Sequence, residues 1–376
     1  MNWSPRLNTT VMTVLDAYGL VHDPNLTKDQ TTAFQALVDY VSDQGGGAID
    51  LPPCKIGLTQ VRGKKGVHII GSGMGPHFYG GTEFCRLPGA TGDFFINDPT
   101  QLPIDDYWAY TRFENFRCTD DVSNTVGSAI GVNCRGGEGL SMRWLLINGF
   151  AEHNIHFKQG AGPLHLHNLH LFGARNGAGL FLDRTGNDTL SCATVNGLSG
   201  DNNSRALVLC HGAGTVQDVL TFRDIKAESW AAGKQNAVIE LWDMFGAFVN
   251  VDTMTASSSQ TGNPETVFRI TGTGIPRLQY RNVRAATTYE YLVKNDNNSA
   301  YNILNPGLNA PMQMGHSVGE LWSLPSTTPS PLKVYATADL PVATATRDGK
   351  MFIEDTGTGH NLVVYMGGLR KKVALV

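Results

Sequence analysis

Two carboxylates, Asp183 and Glu240, and two tryptophans, Trp230 and Trp242, are the side chains whose types and spacing suit chemistry on an extended ligand. Carboxyl groups ~6.5–9.5 Å apart can activate a water with one member and protonate a leaving oxygen with the other, as inverting glycosidases do. The acid member needs a raised pKa, which a nearby indole supplies by excluding water. Indole faces also stack on pyranose rings, and Arg269 or Lys158 suits an acidic sugar. Glu228 and His156 complete the expected set of substrate contacts. Solvated outward carboxylates are common on long β proteins, and that reading competes with the catalytic one. Neither a metal nor a cofactor is expected.

These residues are positioned by a pattern that returns from Thr111 to Asn295: apolar, any, apolar, any, then Asn, Asp or Thr, apolar, any, apolar or small. It appears as Leu164-x-Leu166-x-Asn168-Leu169-x-Leu171, and again starting at Leu190, Leu220, Val249 and Leu278, with weaker copies at Thr111 and Leu140. The starts lie 24–30 residues apart. A second strand follows each copy, with inward pairs Ile130/Val132, Ile155/Phe157, Leu180/Leu182, Leu207/Leu209, Ile239/Leu241 and Phe268/Ile270, then Leu292 alone. Apolar residues at i and i+2 exclude helical repeats. Strand pairs repeating at this period predict an all-β solenoid, a right-handed parallel β-helix. The polar turn residue can repeat as a hydrogen-bonded ladder. The outward residues are then His156/Lys158, Phe181/Asp183, Val208/Cys210, Glu240/Trp242, Arg269/Thr271 and Val293/Asn295. Asp183 and Glu240 come two coils apart, about 9.6 Å along the axis, with Cα atoms roughly 12 Å apart.

Composition narrows the classes. The chain has 376 residues, 43 of them Gly, only 16% charged residues and a net charge of −4. Such a balance leaves no basic footprint for nucleic acid, and no apolar run reaches the ~18 residues of a membrane span. The opening MNWSPRLNTT has neither a basic nor an apolar signal region. The six cysteines show no metal-finger spacing, and Cys118, Cys134 and Cys192 fall in inward slots as small apolar fillers.

One helix is expected over Asp29–Val41, with Asp29 or Thr27 as cap and Ala33, Phe34, Leu37, Val38 and Val41 as its apolar stripe. It stops at the glycines 45–47 and runs into the strand AIDLPP, residues 48–53. A helix, a glycine stop and a strand ending Leu-Pro-Pro resemble the cap of pectate-lyase-like β-helices, in particular the subgroup of bacteriophage tail spikes and appendages. Asp23-Pro24-Asn25 stands where that subgroup has Gly-Asp-Gly. The expected organisation is a tail, strand and capping helix over 1–66, the β-helix over 67–300, a linker over 301–331 and a C-terminal β module over 332–376. The module's strands read KVYATA, KMFIEDT, NLVVYM and KKVALV.

The resemblance implies a homotrimeric virion protein made in host cytoplasm, binding and in some cases depolymerising a host surface polysaccharide, and held to other virion proteins by a terminal segment. A purely structural virion fibre and a free polysaccharide hydrolase or lyase remain open alternatives. The Asp-containing and Arg-containing signatures of true pectate lyases are missing, so calcium is not implied. Trp144 occupies a turn slot and reads as packing. His165 and His167 share one outward side without a third ligand and read as solvated or inter-subunit residues.

Overall fold

The computed structural model describes residues 18–74, 80–97, 108–133, 139–158, 163–184, 192–212, 219–229, 237–244, 247–258, 266–272, 276–285, 289, 291–296, 302–304, 320–322, 334–336, 351–355, 360–366 and 369–375. The chain divides into two units, Met1–Trp322 and Ser323–Val376.

The first unit is a right-handed parallel β-helix. Its long sheet has 13 strands, and seven of the described strands bend at a left-handed residue: Asn115, Trp144, Asn168, Gly197, Asp224, Thr253 and Asn282, with φ between 52° and 72°. Such a residue turns the chain without its side chain entering the bore, and alternation resumes one position late. Leu166 and Leu169 therefore both point inward although three residues separate them. The bore fills with side chains in register, Phe113, Met142, Leu166, Val195, Phe222, Val251 and Tyr280, none more than 2% exposed.

One copy of the repeat sits differently from expectation. Ala193, three residues beyond Leu190, lies between Leu164 and Leu220 in the stack, and Gly197 takes the corner. Either phase satisfies the apolar pattern. The corner chooses, because glycine adopts φ +72° without a Cβ clash. Leu190 itself lies outside the described residues.

The second sheet has nine strands: β1 (Val61–Arg62), β2 (Phe95–Asn97), β3 (Ile130–Asn133), β4 (Ile155–Lys158), β5 (Leu180–Arg184), β6 (Ala206–Gly212), β7 (Ala237–Trp242), β8 (Thr266–Thr271) and β9 (Tyr291–Asn295). They stack in chain order, all parallel. In β6 the frame differs by one residue from the expected Leu207/Leu209. Val208 pairs with Leu180 and Ile239, so Val208 and Cys210 face in while Leu209 and His211 face out. In β9, Val293 rather than Leu292 continues the inward column from Phe268. The run Leu-Val-Leu-Cys is apolar in both phases, and a one-residue slip exchanges its two faces.

Helix α1 spans Thr31–Asp43, two residues later than expected at both ends. The Asp29 carboxylate accepts the Thr31 N–H at 2.9 Å. Phe34, Leu37, Val38 and Val41 are buried. Phe34 meets Phe84 edge-on at 5.3 Å, and Phe84 meets Phe95 and Phe116 at 5.4 and 5.2 Å, so the helix seals the end of the bore. Past the C-cap Gln44 the chain turns through Gly45 and Gly46 at φ +89° and +93°, and an added Cβ on Gly46 would lie 2.9 Å from the Gly66 carbonyl oxygen.

The stack is longer than the expected 67–300. Gly47–Asp50 already pairs with Val67–Ile70, and Asn302–Leu304 and Glu320–Trp322 extend the long sheet inside the segment read as a linker. The second unit holds the four expected strands, Val334–Ala336, Met351–Asp355, His360–Met366 and Leu369–Leu375, with the first pair parallel and the rest antiparallel. The sequence also predicts turns at Asp348-Gly349, Thr356–Gly359 and Gly367-Gly368, which lie outside the described residues. Cys54, Cys85, Cys118 and Cys210 are buried and form no disulfide. No described helix is long and apolar enough to cross a membrane.

Candidate functional site

Strand register lays two outward rows across the nine-stranded sheet. One runs His156, Phe181, Leu209, Glu240, Arg269, Lys294; the other runs Lys158, Asp183, His211, Trp242, Thr271. Neighbours in a row belong to successive coils, about 4.8 Å apart. Asp183 and Glu240 are two coils and two residues apart, the offset read from the sequence.

Asp183 sits between two imidazoles. Its Oδ1 is 2.9 Å from His211 Nδ1, its Oδ2 is 3.3 Å from His156 Nε2, and its side chain is 13% exposed. Burial opposes ionisation here, but the hydrogen bonds from His156 and His211 outweigh it and bring the Asp183 carboxyl down to about 2. Each imidazole is itself braced by an aromatic ring. His156 stacks on Phe181 at 4.6 Å and 19°, and His211 on Trp242 at 4.0 Å and 16°. Ala178, Phe181 and Leu209 form a small apolar cluster outside the bore, with Trp242 packed on it. His153 closes one side, 4.6 Å from Phe181, with its Nδ1 accepting the Ala178 N–H at 3.0 Å. Burial, aided by His156, holds His153 down to about 3, so this ring stays neutral. A Cβ at Gly177 would overlap the His153 ring.

Glu240 is 2% exposed. Arg205 donates to it from Nε at 2.9 Å and from Nη2 at 2.7 Å, and the Thr271 hydroxyl donates at 3.1 Å. The same guanidinium lies 4.9 Å from the centre of the Trp242 ring. Glu240 is thus closed in an ion pair, and Leu209 and His211 occupy the coil between it and Asp183. The open gap for a water between two carboxyls does not form here.

The other expected contacts divide. Lys158 is held by Asp93 at 2.8 Å and Arg269 by Asp296 at 2.7 Å, so neither cation is left unpaired for an acidic sugar. Gly131 makes room for the first pair, since a Cβ there would overlap the Asp93 carboxylate. Glu228 belongs to the long-sheet strand Val219–Ser229 rather than to a loop beside the nine-stranded sheet, because strand pairing continues two residues past Ala227. It pairs with Lys226 at 2.9 Å and faces Asp201 in register. Burial first, and Glu228 second, push the Asp201 carboxyl above its usual range. Trp230 lies outside the described residues. Trp144 is 46% exposed, which corrects its reading as packing. Among the described residues no three His, Cys, Asp or Glu side chains converge as metal ligands.

His211, His153, Arg205 and Asp93 were not singled out in the sequence. His211 was hidden by the one-residue slip in β6. The histidine two residues before the Asp183 slot, at position 156, and the one a coil later, at 211, carry the signal once the frame is right. Arg205 precedes its strand, and Asp93 pairs with a residue 65 positions away, so neither follows from alternation.

No family model matches the chain, and no curated protein sequence matches it. Among solved structures, the chain is similar to tailspike protein gp49 of Acinetobacter baumannii bacteriophage Fri1, a capsular polysaccharide depolymerase, at 14% identity over 96% of this chain and 79% of that one, TM-score 0.49. It is also similar to the A-module of the Azotobacter vinelandii mannuronan C-5 epimerase AlgE4, at 13% identity over 81% and 99%, TM-score 0.43. A third is the catalytic unit of a GH87 alpha-1,3-glucanase from Streptomyces thermodiastaticus strain HF3-3, at 14% identity over 85% and 68%, TM-score 0.44. At identities of 13–14% the likeness is one of fold.

Proposed function

We propose that the chain is a virion spike that binds a host cell-surface polysaccharide along the outer face of the nine-stranded sheet and cleaves it beside Asp183. The observation that carries this reading is one carboxylate held ionised between His156 and His211, with Trp242 stacked on His211. Asp183 fixes the Nδ1–H tautomer of His211 and leaves Nε2 as a base able to activate a water. Glu240 acts at one remove, by holding Arg205 against Trp242. With Lys158 and Arg269 already neutralised, this groove suits a neutral stretch of glycan.

Support for the virion setting comes from the cap, whose Leu51-Pro52-Pro53 end resembles that of tail spikes. A homotrimer is part of the proposal by the same resemblance, and a unit as short as Ser323–Val376 can bury only a small core without a partner. Light scattering on the intact protein tests the assembly.

The activity is tested by incubating host capsule or lipopolysaccharide with the protein and measuring viscosity and reducing ends. Asp183→Asn and His211→Asn should each remove cleavage while the melting transition persists. Wild-type rates in both variants would sink the assignment. A second reading puts cleavage at Asp201 and Glu228, favoured by the raised Asp201 carboxyl facing Glu228 in the next coil. In that case Asp201→Asn, and not Asp183→Asn, abolishes turnover.

A further inference from the structure

Of the seven described left-handed corners in the long sheet, six carry Asn, Gly, Asp or Thr, and the seventh carries Trp144 at φ 55°. A bulky side chain is disfavoured in that backbone region, where Asn and Gly are at ease. The indole is only partly buried in return, for Trp144 is 46% exposed. A strained residue kept on the surface points toward a contact made outside the chain.

Its surroundings define that contact. The corners in the neighbouring coils are Asn115 and Asn168, so an amide lies about 4.8 Å to either side. Arg143, the preceding residue, is exposed and registers between Glu114 and His167. The Glu114 carboxylate is taken by Arg112 at 3.2 Å, and the Arg143 side chain makes no hydrogen bond or ion pair with any described residue. His165 is exposed on the same face.

We propose that this corner is a second glycan-binding site, in which a uronic acid lies on the Trp144 indole while its carboxylate pairs with Arg143. A pyranose presents an apolar face to the ring. Its carboxylate meets the guanidinium fork, and its hydroxyls meet the amides of Asn115 and Asn168. The charge distinguishes this site from the His156–Asp183–His211 groove, where the cations are already paired. It requires no catalytic role for that groove.

The test uses the intact protein, with alginate, polygalacturonate and hyaluronan as acidic probes and dextran as the neutral control, in a calorimetric or interferometric titration. At least one acidic polymer should bind and dextran should not. Trp144→Asn should weaken that binding by about tenfold or more while raising the melting temperature, because asparagine fits the corner. Arg143→Gln should weaken it and reduce its salt dependence. Arg223→Gln, three coils along the same row, should leave it unchanged. The proposal is overturned if none of the acidic polymers binds, or if Trp144→Asn keeps wild-type affinity. It is also overturned if light scattering shows Trp144→Asn dissociating an oligomer, which would make the corner a contact between copies of this chain.

Discussion

Arg205 grips Glu240 through two nitrogens, at 2.7 and 2.9 Å, while its guanidinium lies 4.9 Å from the centre of the Trp242 ring. The carboxylate that looks most available from strand alternation is therefore the part that orients a cation and, through it, an indole. Removing one partner of such a pair leaves a buried charge behind, with a loss of several kcal/mol when both are fully enclosed. Arg205 retains 37% side-chain exposure, which softens the loss.

Glu240→Gln should accordingly lower stability by about 2 kcal/mol in a denaturant titration. Its effect on glycan turnover should follow Trp242→Ala rather than Asp183→Asn. Full stability with complete loss of turnover would mean that Glu240 reacts directly.

Asp183 makes a pH prediction of definite sign. Its carboxyl is at about 2 in the fold, against about 3.9 in an unfolded chain. The stabilisation it supplies is fully present above pH ~4 and is lost as pH falls toward 2, on the order of 1–2 kcal/mol after allowing for solvent screening. The stability difference between wild type and Asp183→Asn should shrink across that window. A difference that stays constant from pH 5 to pH 2 would contradict the pairing with the two imidazoles.

His153 acts in a higher range. Its folded value of about 3 lies below the roughly 6.5 of a free imidazole, so the unfolded chain takes up a proton there that the fold excludes. Stability is full above pH ~6.5 and declines as pH falls toward 3. His153→Asn, which keeps an acceptor for the Ala178 N–H, should flatten the decline between pH 6.5 and 4. An unchanged slope, read from urea midpoints, would remove His153 from the account.

Trp144→Asn should stabilise the fold by about 1 kcal/mol, because it relieves a bulky left-handed residue whose side chain is already 46% exposed. A fall in melting temperature would show that the indole packs well enough to justify its backbone.

Much of the architecture was legible from spacing. Polar or small residues at the corners and apolar residues on either side of them define a bent strand, because only that geometry buries Leu164, Leu166, Leu169 and Leu171 together. The stripe of Phe34, Leu37, Val38 and Val41 likewise marked the capping helix. Asp183 and Trp242 were reached by the same logic, since polar and aromatic residues in the outward phase have nowhere else to go.

Where both phases of a strand are apolar, alternation carries no information. Leu207, Val208, Leu209 and Cys210 are all buried, three of them in the main core and Leu209 in the outer cluster with Phe181 and Trp242. Only pairing with Leu180 and Ile239 decides which is which, and with it whether His211 meets Asp183. Partners chosen across coils were equally invisible. Lys158 finds Asp93 and Arg205 finds Glu240 because stacking brings rungs within reach, at separations of 65 and 35 residues. By itself the sequence determined that this chain coils and which side chains line most of the bore, since those follow from local periodicity. The choice among carboxylates, and which of them remain open to a ligand, was decided by tertiary structure, because it depends on distances between residues that no local pattern connects.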